Sequence, residues 1–274
     1  MIAVLQWTVS SVPEKNLAYL YQELIKLRKQ YKTKQLLVCL PEGFACFDAT
    51  PSDLMAFAHA SEPFIASVCA LAKEYNVWIN AGTIPIGEAD KYHAASLLIN
   101  SNGEVVARYN KIHLFDVDVD DSKQSYRESN STIAGKDLVV VDTPFGKIGM
   151  TVCYDMRFPG LFGALSVQGA DIILVPSAFT VPTGKAHWLP LLQARAIENQ
   201  VFIVAAATTG THDRGRETYG HSVVISPWGE IEAMLATQPD NIVYLPNMDK
   251  LTEVRQKMPL LSHNQFNYEF KHEQ

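Results

Sequence analysis

The stretch KIGMTVCYDMRFP, residues 147–159, determines the fold and the chemistry that this chain is expected to have. Residues 147–152 are mostly apolar and predict a strand, whereas residues 161–165 predict a helix. Cys153 therefore lies at a strand-to-helix turn, where the positive end of a helix dipole favours a thiolate. Backbone N–H groups converge there, so that the N–H of Tyr154 can hold a developing oxyanion. We therefore interpret Cys153 as a candidate nucleophile.

Two other apolar runs also end in a charged residue. LLVCLPE, residues 36–42, ends in Glu42, and VVARYNK, residues 105–111, ends in Lys111. A carboxylate, an ammonium group and a thiol at neighbouring strand ends would supply a general base, a cation and a nucleophile. This set of groups is sufficient for acyl transfer from a carbon–nitrogen bond. Taken singly, each residue has a commoner structural or surface role, but their shared placement favours a catalytic site.

The composition predicts a globular chain with a sizeable core. The chain has 274 residues, of which 47% are hydrophobic, and we expect a single domain over residues 1–274. Its formal charge of −6 provides no basic surface for nucleic acid. No apolar segment approaches the ~20 residues that a membrane span needs, and residues 1–7 predict a strand rather than a signal peptide. We therefore expect neither nucleic acid nor a membrane as a partner.

The four cysteines indicate a reducing compartment. None of them forms a Cys-x-x-Cys pair, and Cys39 and Cys69 lie within apolar elements. Reduced, buried thiols are typical of the cytoplasm, which is the location that we expect.

Periodicity and turn signals predict a mixed α/β architecture. Eleven apolar runs predict strands, and several of them, such as residues 172–175, are apolar throughout, as in strands covered on both faces. Hairpins are predicted at residues 102–103, 144–146 and 227–229. Helices are predicted after a capping box at residues 11–14, from about Ser61, after Pro159, and from about His187 to Asn199 with Pro190 near its first turn. This mixture indicates layers with sheets inside and helices outside.

Residues 116–137 are polar, acidic and without periodicity. A connection of about 20 residues inside a compact domain is uncommon and often functional, so we predict that it forms a wall or lid of the site. Aspartates alternate at positions 116, 118 and 120, but positions 121 and 127 lack the glycine and the glutamate that an EF-hand needs. We expect neither a metal ion nor another cofactor.

Three segments together resemble the nitrilase superfamily of carbon–nitrogen hydrolases. They are LPEG at residues 40–43, YNKIHLFD at residues 109–116 and GMTVCYDMRFP at residues 149–159. The resemblance implies a four-layer αββα sandwich, commonly paired through its outer helices into a homodimer. It also implies a catalytic set of Glu42, Lys111 and Cys153, and a second glutamate that supports the lysine and positions the substrate. Glu128 matches that second glutamate.

Later segments are similar to the amidases of this family that act on α-keto acid amides. These segments are PSAFT at residues 176–180, TGKAHW at 183–188, YGHS at 219–222 and ESNST at 128–132. The resemblance implies hydrolysis of the α-ketoglutaramyl amide of deaminated glutathione through a cysteine thioester. The alternative small-molecule amide is α-ketoglutaramate, the substrate of omega-amidase.

Substrate contacts are expected from residues near Cys153 in the predicted fold. Phe179, Thr180 and Thr183 follow the strand after Cys153 and could line a pocket. Arg157 and Arg195 are the candidate partners for an α-keto carboxylate.

Other functions remain open at this stage. The chain could be a nitrilase, a carbamoylase or an aliphatic amidase, could transfer its acyl group to an amine, or could be a scaffold or binding protein that keeps the fold. A Cys–His pair is the usual alternative for a thiol hydrolase. Because Glu42 is available as the base, we interpret His113, His187 and His221 as structural or substrate-lining residues.

Overall fold

The computed structural model describes residues 1–32, 34–121 and 123–266, in which there are seventeen strands and seven α-helices. The strands are β1 (Ile2–Gln6), β2 (Leu37–Cys39), β3 (Trp78–Asn80), β4 (Ile84–Glu88), β5 (Lys91–Ile99), β6 (Val105–Asn110), β7 (Asp116–Asp118), β8 (Ser125–Arg127), β9 (Val140–Thr143), β10 (Gly146–Met150), β11 (Ile172–Leu174), β12 (Phe202–Ala205), β13 (Thr209–Thr211), β14 (Glu217–Tyr219), β15 (Val223–Ile225), β16 (Ile231–Met234) and β17 (Asp240–Tyr244). The helices are α1 (Pro13–Gln30), α2 (Pro51–His59), α3 (Glu62–Glu74), α4 (Pro159–Val167), α5 (Val181–Asn199), α6 (Met248–Lys257) and α7 (Leu260–His263).

Two large sheets form the centre of the molecule. The first has the order β17-β1-β2-β3-β5-β4, with β6 also paired to β5. The second has the order β16-β15-β12-β11-β10-β9. The inner strands β1, β2 and β3 run parallel, as do β10, β11 and β12. Because parallel strands end at the same edge of a sheet, the residues that follow β2, β10 and β11 are positioned to form a site there.

The side chains of the first sheet alternate between two environments, which explains the layering. On β1, Ile2 and Val4 belong to a core cluster shared with β10 residues of the second sheet. Ala3 and Leu5 belong instead to the cluster that includes Leu20 and Leu24 of α1 and Phe64 and Val68 of α3. On the far side, Leu161, Phe162 and Leu165 of α4 and Trp188, Leu192 and Ala196 of α5 join the core of the second sheet. The predicted αββα sandwich is confirmed.

Helix α5 begins earlier than the sequence predicted. It starts at Val181 with Pro182 in its first turn, so that Pro190 lies in its interior rather than near its start. An interior proline removes one main-chain hydrogen bond and costs about 3 kcal/mol. Trp188 and Leu192, both fully buried, pack this part of the helix against the core. Burial of such large side chains, at about 2 kcal/mol each, offsets that cost.

Two local features near the ends of loops differ from the sequence prediction. Helix α1 has no capping box, because its N-cap is Val12 and no side chain caps it. Asn16 instead bonds the N–H and the carbonyl of Ser10, at 2.8 Å each, and so holds the chain entering the helix. No strand was predicted in residues 116–137, and they contain the hairpin of β7 and β8 and a 3₁₀ turn at Glu128–Asn130.

Helices α2 and α3 meet at a bend of 67°. The helix predicted from about Ser61 is α3, whereas α2 was not predicted, although the Thr50 hydroxyl caps it by accepting the Asp53 N–H at 3.1 Å. In the described ranges, no single helix has the length and hydrophobicity to cross a bilayer, and only this bent pair has them jointly.

Candidate active site

Lys111 lies between two carboxylates at the end of β6. Its Nζ is 2.8 Å from Oε1 of Glu42 and 2.8 Å from Oε2 of Glu128. The lysine side chain is only 2% exposed, while the glutamate side chains are 13% and 20% exposed. Burial by itself lowers the pKa of Lys111, but the carboxylates of Glu128 and Glu42 outweigh it and raise that pKa well above its ordinary value. The ammonium group is therefore charged at neutral pH.

Glu128 is held in place by the main chain as well as by Lys111. Its Oε2 accepts the N–H of Phe115 at 2.7 Å, and its own N–H faces the carbonyl of Phe115 at 3.4 Å. The hairpin of β7 and β8 lies between these two residues in the chain. The hydrogen bonds between Phe115 and Glu128 thus join the two ends of the hairpin. These bonds fix the Glu128 carboxylate although the segment has no hydrophobic periodicity.

Cys153 follows β10 at a sharp turn of the backbone. Its φ of +46° lies in the left-handed region, which costs a residue with a Cβ about 1–3 kcal/mol. The N–H of Cys153 donates to the carbonyl of Pro176 at 2.9 Å. Within the described residues, the N–H of Tyr154 donates to no backbone carbonyl outside its own 3₁₀ turn. Of these two amides, the N–H of Tyr154 is therefore the one without a backbone acceptor outside its turn, and its role toward an oxyanion stays a prediction.

The surroundings of Cys153 differ from the sequence prediction. The element that follows is a five-residue 3₁₀ turn, Cys153–Arg157, and the longer helix begins only at Pro159. Burial raises the pKa of Cys153 well above its ordinary value, the Glu42 carboxylate raises it further, and Lys111 opposes them only in part. Burial and the Glu42 carboxylate thus favour the thiol of Cys153, whereas the strand-to-helix turn by itself would favour the thiolate.

Asp155 joins the Cys153 turn to the Lys111 loop. It is fully buried, and its two oxygens accept the hydroxyl of Tyr109 at 2.7 Å, the N–H of Val152 at 2.8 Å and the N–H of His113 at 3.0 Å. The ring Nδ1 of His113 lies 2.7 Å from the same carboxylate. Asp155 therefore braces the turn through these hydrogen bonds, and in the described residues it forms no ion pair with Arg157.

A cavity of about 440 Å³ opens above the four residues Glu42, Lys111, Glu128 and Cys153, all of which line it. This volume is typical of a site for a small organic ligand. The four residues predicted to contact substrate, Arg157, Phe179, Thr180 and Thr183, also line this cavity.

The substrate-contact candidates contact one another along the cavity wall. The guanidinium of Arg157 lies 5.3 Å from the ring centre of Phe179 and 5.8 Å from that of Tyr154. No carboxylate of the described chain lies within ion-pair distance of it. The hydroxyls of Thr180 and Thr183 bond each other at 2.7 Å. An aromatic, polar and cationic surface of this kind suits an α-keto acid.

Other candidates from the sequence lie outside the cavity. Arg195 is buried, donates to the carbonyl of Met156 at 2.8 Å and pairs with Glu198 at 2.7 Å, so it is a structural residue and not an anion partner. Among the histidines, His113 stacks on Phe158 at 3.7 Å between ring centres, and His221 stacks on Tyr219 at 4.0 Å.

His187 lies 3.2 Å from Arg157, with its Nδ1 facing the guanidinium. None of the three histidines lines the cavity, which agrees with their interpretation as structural residues.

Part of the cavity wall was not predicted from the sequence. Phe47, Tyr126 and Arg216 line the cavity together with Lys123. Arg216 lies in the hairpin of β13 and β14, about 170 residues along the chain from Phe47, and no sequence motif connects them. The prediction of a wall formed by residues 116–137 is consistent with this geometry, because Lys123, Tyr126 and Glu128 all come from that segment.

Comparison with known proteins identifies the family. The family described as carbon-nitrogen hydrolase matches residues 1–255. The deaminated glutathione amidase of Yersinia enterocolitica is 43% identical over 272 residues, which cover 97% of this chain and 93% of that protein.

Solved structures agree with this match. The NitFhit protein of Caenorhabditis elegans superposes with a TM-score of 0.89 at 35% identity, over 96% of this chain and 64% of that longer one. Nit3 of Saccharomyces cerevisiae, a member of branch 10 of the nitrilase superfamily, gives a TM-score of 0.84 at 28% identity, over 97% and 96% of the two chains.

The chain therefore belongs to the carbon-nitrogen hydrolase family of the nitrilase superfamily. The predicted class of enzyme, a hydrolase of carbon–nitrogen bonds, is confirmed.

Proposed function

We propose that this protein hydrolyses the amide bond of the α-ketoglutaramyl group of deaminated glutathione. The observation that carries the proposal is the buried Glu42–Lys111–Glu128 cluster beside the Cys153 thiol, in a cavity that also contains the Arg157 guanidinium. The cluster provides the acyl-transfer chemistry, and Arg157 provides a partner for an α-keto carboxylate. The name of the relative from Yersinia enterocolitica supports the same substrate.

In the first half of the proposed reaction, Glu42 removes the proton of Cys153 as the sulfur attacks the amide carbon. The oxygen of the amide becomes an oxyanion, which the Lys111 ammonium and the Tyr154 N–H stabilise. Glu42 then transfers its proton to the amide nitrogen, the carbon–nitrogen bond breaks, and the amine leaves. The acyl group remains on Cys153 as a thioester.

In the second half, Glu42 removes a proton from water as the water oxygen attacks the thioester carbon. The carbon–sulfur bond breaks, the acid leaves and the sulfur regains the proton from Glu42. Across the cycle, one water molecule is consumed and one acid and one amine are formed. Glu42 thus acts as base and acid in turn, while Glu128 holds Lys111 in position.

Product release in the wild-type protein and in Cys153→Ala tests this proposal. We expect amine release from deaminated glutathione to fall at least ~10⁴-fold in Cys153→Ala, which corresponds to about 5 kcal/mol. The control is Cys69→Ala, because Cys69 lies on α3 and does not line the cavity; it should keep wild-type turnover. Normal turnover in Cys153→Ala would refute the thioester mechanism, and no wild-type turnover would refute the proposed substrate.

α-Ketoglutaramate is the second candidate substrate. It carries the same α-keto carboxylate as deaminated glutathione, and Arg157 is positioned to bind that group in either compound. A ratio of kcat/KM that favours α-ketoglutaramate would assign the omega-amidase activity to this protein.

We also propose that two copies pair through the outer helices α4 and α5. Val167 at the end of α4 is 67% exposed and Ile197 near the end of α5 is 49% exposed, and a partner helix would bury both. Light scattering should give a molar mass near twice that of the 30.5 kDa chain. A concentration-independent mass of one chain would contradict the dimer.

We also propose that the protein is located in the cytoplasm. The four cysteines are free thiols, and a reducing compartment keeps them so. Cell fractionation with an antibody to the protein tests the location, and recovery in a secreted fraction would refute it.

A further inference from the structure

Arg216 is, after Arg157, a second arginine of the cavity wall that has no carboxylate partner in the described part of the chain. Its guanidinium lies between two rings, 4.6 Å from the centre of Phe47 and 5.0 Å from that of Tyr126. In the described part of the chain it forms no ion pair, and its buried Nε has no hydrogen-bond partner. A buried donor without an acceptor is unfavourable in a folded protein, so such a group at a cavity indicates a ligand.

The main chain around Arg216 is fixed although its guanidinium is unpaired. The Asp48 carboxylate accepts the N–H of Arg214 at 2.8 Å and faces the N–H of Arg216 at 3.4 Å. The carbonyl of Arg216 accepts the N–H of His212 at 2.8 Å. The Asp48 carboxylate also pairs with Lys123 at 3.4 Å, so it already has a cationic partner. The guanidinium is thus held ready between its two rings.

Arg216 is separated from Arg157 by a row of three aromatic rings. Arg157 lies over Tyr154, the Tyr154 ring is 5.1 Å from that of Phe115, and the Phe115 ring is 5.1 Å from that of Tyr126, which carries Arg216. The two guanidinium groups therefore lie at separate places along one wall. A substrate with an anionic group at each end would have a charge partner at both.

The position of Glu42 relates the reaction to Arg216. Phe47, which packs on Arg216, also lies directly against Gly43, the residue after Glu42. In the proposed reaction Glu42 gives its proton to the leaving amine. A leaving group on the Phe47 side of Glu42 would therefore face Arg216, and the acyl group would extend toward Arg157.

We propose that Arg216 binds a carboxylate carried by the leaving amine, so that the cavity is selective for amides with an anionic group at each end. This inference rests on the proposed function, because deaminated glutathione has an α-keto carboxylate at its acyl end and a glycine carboxylate at its amine end. α-Ketoglutaramate has only the first. Arg216 is thus a specificity-determining residue that takes no part in bond cleavage.

The test compares three substrates in the wild-type protein and in Arg216→Gln. Removing a charge-assisted hydrogen bond should raise KM for deaminated glutathione by about 10- to 100-fold and leave kcat within about threefold. The kcat/KM for α-ketoglutaramate should stay within about twofold. The C-terminal amide of deaminated glutathione should show the same loss with the wild-type protein, and Arg216→Gln should add nothing to it.

Control variants separate this role from a structural one. Arg214→Gln changes a neighbouring arginine that contacts the carbonyl of Ala49 and does not line the cavity, so it should leave all three substrates unaffected. Arg216→Lys, which keeps the charge, should recover part of the lost affinity. If Arg216→Gln does not fold, the amidated substrate still tests the subsite with the unchanged protein.

Each contrary result has a distinct meaning. Equal losses for deaminated glutathione and α-ketoglutaramate in Arg216→Gln would make Arg216 a structural residue and overturn the proposal. No loss for either substrate, or no effect of amidation on the wild-type KM, would also overturn it. Cys153-dependent turnover of α-ketoglutaramate without turnover of deaminated glutathione would instead refute the proposed function, and the subsite with it.

Discussion

Replacing Glu42 by Gln should change catalysis and thiol reactivity in opposite directions. In the wild-type protein, the Glu42 carboxylate accepts a hydrogen bond from Cys153 and, after burial, is the main group that raises the pKa of that thiol. Glutamine removes the charge, while its carbonyl oxygen can still accept the Lys111 ammonium that Glu42 binds at 2.8 Å. The Lys111 charge then acts on Cys153 with less opposition. We therefore expect the pKa of Cys153 to fall in Glu42→Gln.

Catalysis should be lost in the same variant because the proposed mechanism gives every proton transfer to Glu42. The carboxylate protonates the leaving amine in the first half of the reaction and deprotonates water in the second. General acid–base catalysis contributes about 10²–10⁴-fold to a rate. Because one carboxylate acts in both halves, we expect kcat/KM to fall about 10³-fold, which corresponds to about 4 kcal/mol.

The assay pairs steady-state kinetics with the pH profile of iodoacetamide alkylation. Alkylation of Cys153 is followed by mass spectrometry of its peptide, so that Cys39, Cys46 and Cys69 do not interfere. In Glu42→Gln, the alkylation midpoint should move to lower pH and alkylation at pH 7 should be faster. The matched control is Glu128→Gln, which also removes a carboxylate from Lys111 but does not contact the thiol; its midpoint should move less.

An alkylation midpoint that stays or rises in Glu42→Gln would refute the reasoning, because Glu42 would then not be the group that keeps Cys153 protonated. Retention of kcat/KM within tenfold would refute its role as the base. Loss of turnover together with slower alkylation would show that the substitution had merely disordered the site.

Two further substitutions test the stability of the site. Lys111→Met leaves the partly buried carboxylates of Glu42 and Glu128 without their cation and should lower the free energy of unfolding by about 3 kcal/mol in urea titrations at pH 7. A loss below about 1 kcal/mol would contradict this explanation. Asp155→Ala leaves several buried donors without an acceptor and should lower the free energy of unfolding by about 4 kcal/mol. The control is Asp142→Ala, at a side chain that is 86% exposed, which should lower it by less than about 0.5 kcal/mol. Equal losses in the two variants would show that the buried hydrogen bonds of Asp155 contribute nothing to stability.

Much of the fold follows from short-range patterns in the sequence. The apolar runs that end at Glu42, Lys111 and Cys153 predict strands, and the three residues meet because the strand ends of the two sheets lie together. Hydrophobic alternation on β1 gives the two faces of its sheet. Polar segments were predicted less well. The hairpin of β7 and β8 lacks an apolar period, and its order comes from contacts with Glu128 and Phe115.

The protonation state of Cys153 could not be predicted from its position in the sequence. A cysteine after a strand and before a helix predicts a thiolate only if the helix is long and begins at the cysteine. Here the 3₁₀ turn intervenes, and burial beside a carboxylate has the larger effect. Burial and neighbouring charge are properties of the packed molecule, so no local motif contains them. The same limit applies to Arg216, which reaches the cavity from a distant hairpin.

The roles of the site residues follow from the sheet or hairpin that carries each of them. Glu42 and Lys111 follow strands of the first sheet, whereas Cys153 follows a strand of the second, so proton transfer depends on how the sheets are aligned. Asp155 fixes that alignment, since it bonds Tyr109 and His113 on one side and Val152 on the other. Its removal should therefore weaken both stability and turnover. Arg216 lies on a separate hairpin whose contacts do not include this buried carboxylate, so its removal should change selectivity alone.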